Sequence, residues 1–482
     1  MNKRVLENIQ PENVFRFFED ICNIPHGSGN VKMISDYLVK FAESRNLWYR
    51  RDDSLNVIIK KPANNSTSTH PVIIQGHMDM VAVKTDDKIK DMEKEGLDIL
   101  VEDNYVKADR TSLGGDDGIA VAYALAILDS NDISHPPIEV IITVDEEIGM
   151  LGAENLDCSD IEGRIMLNID SEEEGIFLSS CAGGATVKGI YPVNRENVSG
   201  VKFKISISGL TSGHSGTDII FQRANGNVIL GKMLFKLSSK YNFNIVSVMG
   251  GEKDNSIAPF AKAEIIVEQE DAESLLKDAK EYVKDILNEY SSTDKNMKID
   301  IYEEGNVEES ALDYSSTSKI ILGYTHIPDG VIKMSNEIER LVQTSLNLGV
   351  VNCSDGNITF TYLLRSSMES EKEYLTNRVV SMISLLGGEY EITGKYPAWE
   401  YKKESPLRKI ISDSYKKLYG TEPEIQAIHA GVECGLFAAK LEGLDCVSFG
   451  PNIKDIHTFK ERLDIKSTER TWELIKEVLK EL

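Results

Sequence analysis

Five short runs of branched apolar residues constrain this chain more than any other feature. They occupy residues 57–59, 72–74, 140–143, 164–167 and 446–449. Runs without polar alternation suit strands covered on both faces, as in a parallel sheet. Between them, residues 119–128 read IAVAYALAIL, apolar on every side of a helix, which predicts a buried one. Helical spacing also links Val14, Phe17, Phe18 and Ile21, and then Ile34, Tyr37, Leu38 and Phe41, with Pro25 and a GSG run breaking the two apart. Strands alternating with helices predict an α/β sandwich.

The middle of the chain follows another pattern. Strand-like runs at 202–208, 263–268 and 357–364 alternate with amphipathic helices expected over 226–237, 272–287, 336–341 and 374–386. This reads as an α+β unit, residues 189–391, inserted into a domain built from 1–188 and 392–482. Helices over 407–419 and 432–440, a strand at 446–449 and a closing helix from about 468 to 482 complete the first domain. At 482 residues the chain is too long for one ordinary core, which agrees with two domains.

Composition narrows the function. A formal net charge of −25 argues against nucleic acid, whose phosphates need clustered Lys and Arg. No apolar stretch is long enough to span a bilayer. The N-terminal residues intersperse acids among apolar ones and lack a signal peptide's apolar core, so the cytoplasm is the expected location. Six scattered cysteines form no CxxC pair and read as free thiols, leaving His and carboxylate as the ligands for any metal.

Acids and histidines cluster at the ends of the predicted strands. His77 and Asp79 follow VIIQG, Glu146 and Glu147 follow IEVIITVD, Asp170 closes RIMLNID, and His457 comes shortly after DCVSFGPN. Asp116 and Asp117 lie in the turn SLGGDDGIA that feeds the buried helix. Open α/β sheets bind ligands at the C-terminal ends of their strands. Two imidazoles and three carboxylates complement two borderline-soft dications with one carboxylate bridging. Two metals about 3.5–4 Å apart can hold a hydroxide and polarise a carbonyl. A glutamate beside a ligand glutamate suits the general base, and Asp79 is spaced to accept the other imidazole N–H of His77. Taken singly, each piece has a plainer reading: an EE pair is ordinarily solvated surface, GGDDG a turn, Asp170 a helix cap, and His457 a loop histidine. Their joint occurrence at one sheet edge favours the metal reading.

The motifs QGHMDMV, SLGGDDGIAVA, TVDEEIGMLGA, NIDSEEEG and GPNIKDIHTFKERLDI resemble those of the di-zinc aminopeptidase/carboxypeptidase-like exopeptidases with an inserted lid. Within them the chain is similar to the aminoacyl-histidine (Xaa-His) dipeptidases, bacterial cytosolic non-specific dipeptidases. IPHGSGN, SGHSGTDI, GGEKDNSIAP, YPAWEYK and HAGVECGLF extend the likeness nearly end to end. The resemblance implies a zinc-exopeptidase-like α/β/α sandwich carrying an α+β lid. It implies that His77 and Asp170 bind one metal and Glu147 and His457 the other. Asp116 rather than Asp117 would bridge the two, with a cis peptide between these aspartates. Glu146 would be general base and acid, with Asp79 orienting His77. His214 would help hold the oxyanion, and Asn255 and Arg365 would grip substrate. Plainer readings remain for these three: His214 and Asn255 as shapers of lid turns, Arg365 as a surface strand arginine. His429 and Glu433, read as beginning a helix, are left between contact with the substrate amine and simple capping. The family commonly has LGADNG where this chain reads LGGDDG at 113–118, and Asp116 is retained.

These implications predict a cytoplasmic metallo-dipeptidase of broad specificity that accepts Xaa-His dipeptides. It would hold two divalent ions, zinc foremost with cobalt or manganese tolerated, and form a homodimer through the lid. The alternatives are a tripeptidase or N-acyl-amino-acid deacylase on the same site, and a non-catalytic peptide-binding protein.

Overall fold

A computed structural model describes residues 4–354 and 356–482. The chain divides into two units. The first comprises residues up to Ser180 with Tyr401–Ala427 and Val432–Leu482, and the second comprises Cys181–Glu400 with Ile428–Gly431.

The first unit is built on an eight-stranded sheet. Its strand order is Trp48–Arg51, Val57–Lys61, Ile138–Thr143, Val72–His77, Ile165–Asn168, Asp445–Ser448, Ile176–Cys181 and Glu424–Ile428. The four strands from Ile138–Thr143 to Asp445–Ser448 run parallel, whereas Val57–Lys61 lies antiparallel to Ile138–Thr143. The apolar runs thus became strands of a mixed sheet. Val72–His77 and Ile138–Thr143 are buried along their whole length, as unbroken branched apolar sequence requires. Helix Gly115–Asp129 is buried over nearly its full length, and its alanines and leucines favour helix. The outer helices carry ordinary caps. Ser405 accepts the Arg408 N–H ahead of Pro406–Tyr419, and Asp464 accepts the Ser467 N–H ahead of Ile465–Glu481. No disulfide joins any of the six cysteines.

The second unit is a nine-stranded antiparallel sheet with helices Gly226–Ser238, Ala272–Glu289, Tyr314–His326 and Glu369–Leu385. Two expectations need correction. The boundaries placed at 188/189 and 391/392 fall inside strands Gly183–Pro192 and Glu389–Tyr396. These two strands pair with each other, and Gly183–Pro192 also pairs with Asn357–Ser366, so both belong to the second unit. Residues 336–341 form bends and a turn rather than a helix. The chain here links strand Gly330–Met334 to Val342–Cys353, with the Ser335 N–H bonded to the Leu341 carbonyl at 2.9 Å. Helix Tyr314–His326 was not anticipated, although Asp313 caps it by accepting the Ser316 N–H at 2.7 Å. No helix of the described residues is long and apolar enough to cross a membrane.

Candidate metal centre

The parallel strands of the first unit deliver their polar residues to one edge. His77 ends its strand, while Asp170 and Glu146–Glu147 follow theirs by two to four residues. Asp116 sits at the start of the buried helix, where the Asp116–Asp117 peptide is cis. His457 occupies a loop after the short strand Ile453–Lys454.

These side chains converge in two groups that share one carboxylate. His77 Nε2 lies 3.2 Å from Asp116 Oδ1 and 3.5 Å from Asp170 Oδ1. His457 Nε2 lies 3.1 Å from Asp116 Oδ2 and 2.9 Å from Glu147 Oε2. In each group the three potential ligand atoms are within 4.8 Å of one another. Asp116 therefore turns one oxygen to each group. The His457 side chain is 46% exposed whereas His77 is 1% exposed, so the cluster opens toward solvent on its His457 side. A cleft of 1330 Å³ lined by Ser28, Met80, Lys90, Glu147 and Ile148 adjoins it.

Electrostatics give this arrangement its demand. Burial pulls the His77 pKa down, but Asp116, Asp170 and Asp79 outweigh it and push it well above the ordinary value. Hydrogen bonds to Asp116 and Glu147 raise His457 to about 10. Burial pushes Glu146, Glu147 and Asp170 up, and the carboxylates around each add to it. The cationic partners of Asp116, Asp170 and Glu147 are the two imidazoles, and Glu147 Oε1 is a buried acceptor with no hydrogen bond. Crowded carboxylates, imidazoles drawn toward protonation and an orphaned oxygen are what a site for divalent cations presents. A donor set of two nitrogens and three carboxylates fits such ions.

The surrounding residues hold these groups. The His77 Nδ1–H donates to the Asp79 backbone carbonyl at 3.0 Å, with Asp79 Oδ1 at 3.4 Å, which leaves the Nε2 lone pair facing Asp116 and Asp170. The imidazole is thus anchored by the Asp79 main chain more closely than by the carboxylate that the spacing suggested. Asp117 accepts the His77 backbone N–H at 3.1 Å. A methyl group on Gly76 would come within 2.5 Å of that Asp117 oxygen, which accounts for the glycine before the histidine.

Glu433 is fully buried at the start of helix Glu433–Lys440 and does not cap it. It accepts from Gln75 Nε2 at 2.5 Å and Thr143 Oγ1 at 2.7 Å, joining two central strands. Sequence inspection missed Asp117, Ser28 and Glu461 as supports. Ser28 lies in a glycine-rich loop and Glu461 in a charged run, and neither carries a local signal.

In the second unit, His214 lies 3.4 Å from Arg365 Nη2. Its Nδ1 faces the Gly216 and Thr217 N–H groups, each at 3.3 Å, and its Nε2 faces the Arg365 guanidinium. Burial and the Arg365 charge lower its pKa and keep the ring neutral. Arg365 is 6% exposed, which overturns the surface reading. It donates to the Tyr396 hydroxyl at 2.6 Å, and no carboxylate ion-pairs with it among the described residues. Asn255 is exposed on a turn, and its carbonyl accepts the Ser215 N–H at 2.8 Å. His429 lies before helix Glu433–Lys440 rather than in it, and bonds to Ser345 Oγ at 2.7 Å.

Known proteins share this organisation. The chain is 34% identical over 480 residues to a cytosol non-specific dipeptidase of Escherichia coli (strain K12), covering 99% of each sequence. The crystal structure of an aminoacylhistidine dipeptidase from Vibrio alginolyticus superposes with a TM-score of 0.94 at 32% identity, covering 100% of this chain and 98% of that one. An aminopeptidase from Bacillus cereus ATCC 10987 shares the fold at 16% identity with a TM-score of 0.58, covering 98% and 99%. The profile of peptidase family M20/M25/M40 matches residues 73–481, a span that contains both ligand groups. This chain belongs to peptidase family M20/M25/M40.

Proposed function

We propose that the chain is a metal-dependent dipeptidase of broad specificity that accepts Xaa-His dipeptides among others. The observation that carries this reading is the pair of ligand groups sharing Asp116 at one sheet edge. The naming of its relatives as a non-specific and an aminoacylhistidine dipeptidase supports the substrate class, because the likeness runs over nearly the whole of each chain.

His77 and Asp170 would hold one divalent ion and Glu147 and His457 the other, with Asp116 offering an oxygen to each group. Zinc is the expected ion, and cobalt or manganese would suit the same donors. When bound, such ions polarise a peptide carbonyl and make water more acidic. Glu146 takes the proton of the attacking water and returns it to the leaving amine. Asp79 steadies both His77 and the Glu146–Glu147 backbone. His214 is the donor for the oxyanion. Arg365, a buried guanidinium without a carboxylate partner among the described residues, suits a free peptide carboxylate, and Asn255 assists it. The second unit would serve as lid and homodimer surface, and the protein would reside in the cytoplasm, as the name of its Escherichia coli relative states for that protein.

The test is a substrate panel with metal analysis on one purified sample. Free dipeptides are expected to turn over, while tripeptides and N-acylated amino acids lag far behind. Turnover confined to N-acylated compounds or tripeptides would overturn the dipeptidase reading. Glu146→Ala is expected to lose about 10²–10⁴-fold in kcat with metal content intact. An unchanged rate would remove Glu146 from its role.

A further inference from the structure

Glu461 lies four residues after His457 and is 3% exposed. Its carboxylate faces a run of backbone donors far away in sequence. Oε2 accepts the Leu113 N–H at 2.7 Å and the Gly114 N–H at 3.0 Å. Oε1 accepts the Gly115 N–H at 2.8 Å and lies 3.4 Å from the Asp116 nitrogen. These donors line the turn that leads into helix Gly115–Asp129, which is kinked at the non-helical Asp116 and Asp117. A capping side chain normally serves them, but Gly114 occupies that position and has none. Glu461 supplies the missing cap from a remote segment.

Gly115 follows from that approach, because a methyl group there would stand 3.2 Å from Glu461 Oε1, whereas Gly114 is set by its φ of +68° and by Met80. On its own side Glu461 is held close to His457, because its N–H bonds to the Thr458 carbonyl at 3.2 Å. One carboxylate therefore joins the turn that carries Asp116 to the turn that carries His457, whose side chains stand 3.1 Å apart.

We infer that Glu461 is a positioning residue of the metal centre, setting the shared ligand Asp116 against His457 by capping the Leu113–Asp116 backbone. The inference rests on the proposed role of Asp116 as a ligand of both ions. Asp116 is the carboxylate common to both groups, so a displacement of its backbone would disturb both at once, whereas loss of a peripheral ligand would disturb one.

The test is calorimetric titration of metal-stripped protein with Zn²⁺, alongside thermal unfolding of the same metal-free samples. In Glu461→Gln an amide N–H replaces one acceptor and opposes the backbone donors. The expected result is at least a 10-fold weakening of Zn²⁺ affinity in a variant that remains folded by circular dichroism, the range seen when groups that orient metal ligands are removed. Glu461→Asp, which keeps the charge one methylene short, is expected to fall between. Wild-type affinity in a folded Glu461→Gln, even with a lowered Tm, would overturn the inference. Should Glu461→Gln fail to fold, Gly115→Ala, which crowds Oε1, takes its place with the same expected and overturning results. Asp116→Asn separates the premises. If it leaves Zn²⁺ affinity unchanged, the ligand reading fails and the inference with it. If it weakens binding while the Glu461 variants do not, only the inference fails.

Discussion

The carboxylate of Asp79 accepts the backbone N–H of Glu146 at 3.1 Å, so the residue that follows His77 by two also holds the loop of the proposed general base. The same carboxylate takes the Ser28 hydroxyl at 2.8 Å and lies 3.4 Å from the Glu147 nitrogen and from His77 Nδ1. It is fully buried. Four donors from three segments thus meet on one side chain.

Asp79→Asn is expected to lower kcat by about 10²-fold while metal, supplied in excess, still binds. An amide cannot accept at both of its ends, so either the His77 side or the Glu147 side must lose its partner. Ser28→Ala removes one of the four donors and should cost far less. Steady-state kinetics of both variants check this, and equal losses would contradict the role of Asp79 as the common anchor.

Removing divalent ions is expected to lower thermal stability. Asp116, Asp170 and Glu147 crowd together with two imidazoles as their cationic partners, so bound cations relieve repulsion in the folded state. At a free metal concentration 100-fold above Kd, each site contributes about 2.7 kcal/mol. Calorimetric scans with chelator, and again after metal is restored, measure the shift. An unchanged Tm together with an absence of metal by elemental analysis would count against the centre.

His429 gives the second unit a pH dependence. Burial, then the charge of Arg365, depresses its pKa to about 3 from an ordinary 6.5. The folded protein keeps the ring neutral, while the unfolded chain takes up a proton below its own pKa. The contribution is therefore fully present above about pH 6.5 and is lost as pH falls toward 3, at about 1.4 kcal/mol per pH unit. His429→Gln, which can keep the bond to Ser345, is expected to flatten that slope. Urea unfolding midpoints of wild type and variant at pH 7 and pH 5 provide the comparison, and parallel changes in both would refute it.

Much of the architecture was legible because local chemistry and burial agree. Unbroken branched apolar runs at 72–74 and 140–143 could only be covered strands, and the polar residues after them had to emerge at one sheet edge. The apolar stretch 119–128 had no solvent-facing side and became a buried helix. Residues 336–341 misled because a short amphipathic pattern matches a hairpin connection as well as a helix. Strand Gly183–Pro192 was cut at 188 because its glycines hide the alternation that marks a strand. Arg365 admitted a surface reading because the sequence around it does not state which face of its strand is covered.

From sequence alone came five strands of the first unit's sheet and the candidate set of metal-ligating side chains. Each depends on residue types and on spacings within a few positions of a strand end. Only the tertiary structure decided which oxygen of Asp116 meets which imidazole, that the Asp79 main chain steadies His77, and that Glu461 caps a turn 345 residues earlier in the chain. Those contacts join segments far apart along the chain. Their geometry is set by how the strands and helices pack, and no local pattern of residues encodes it.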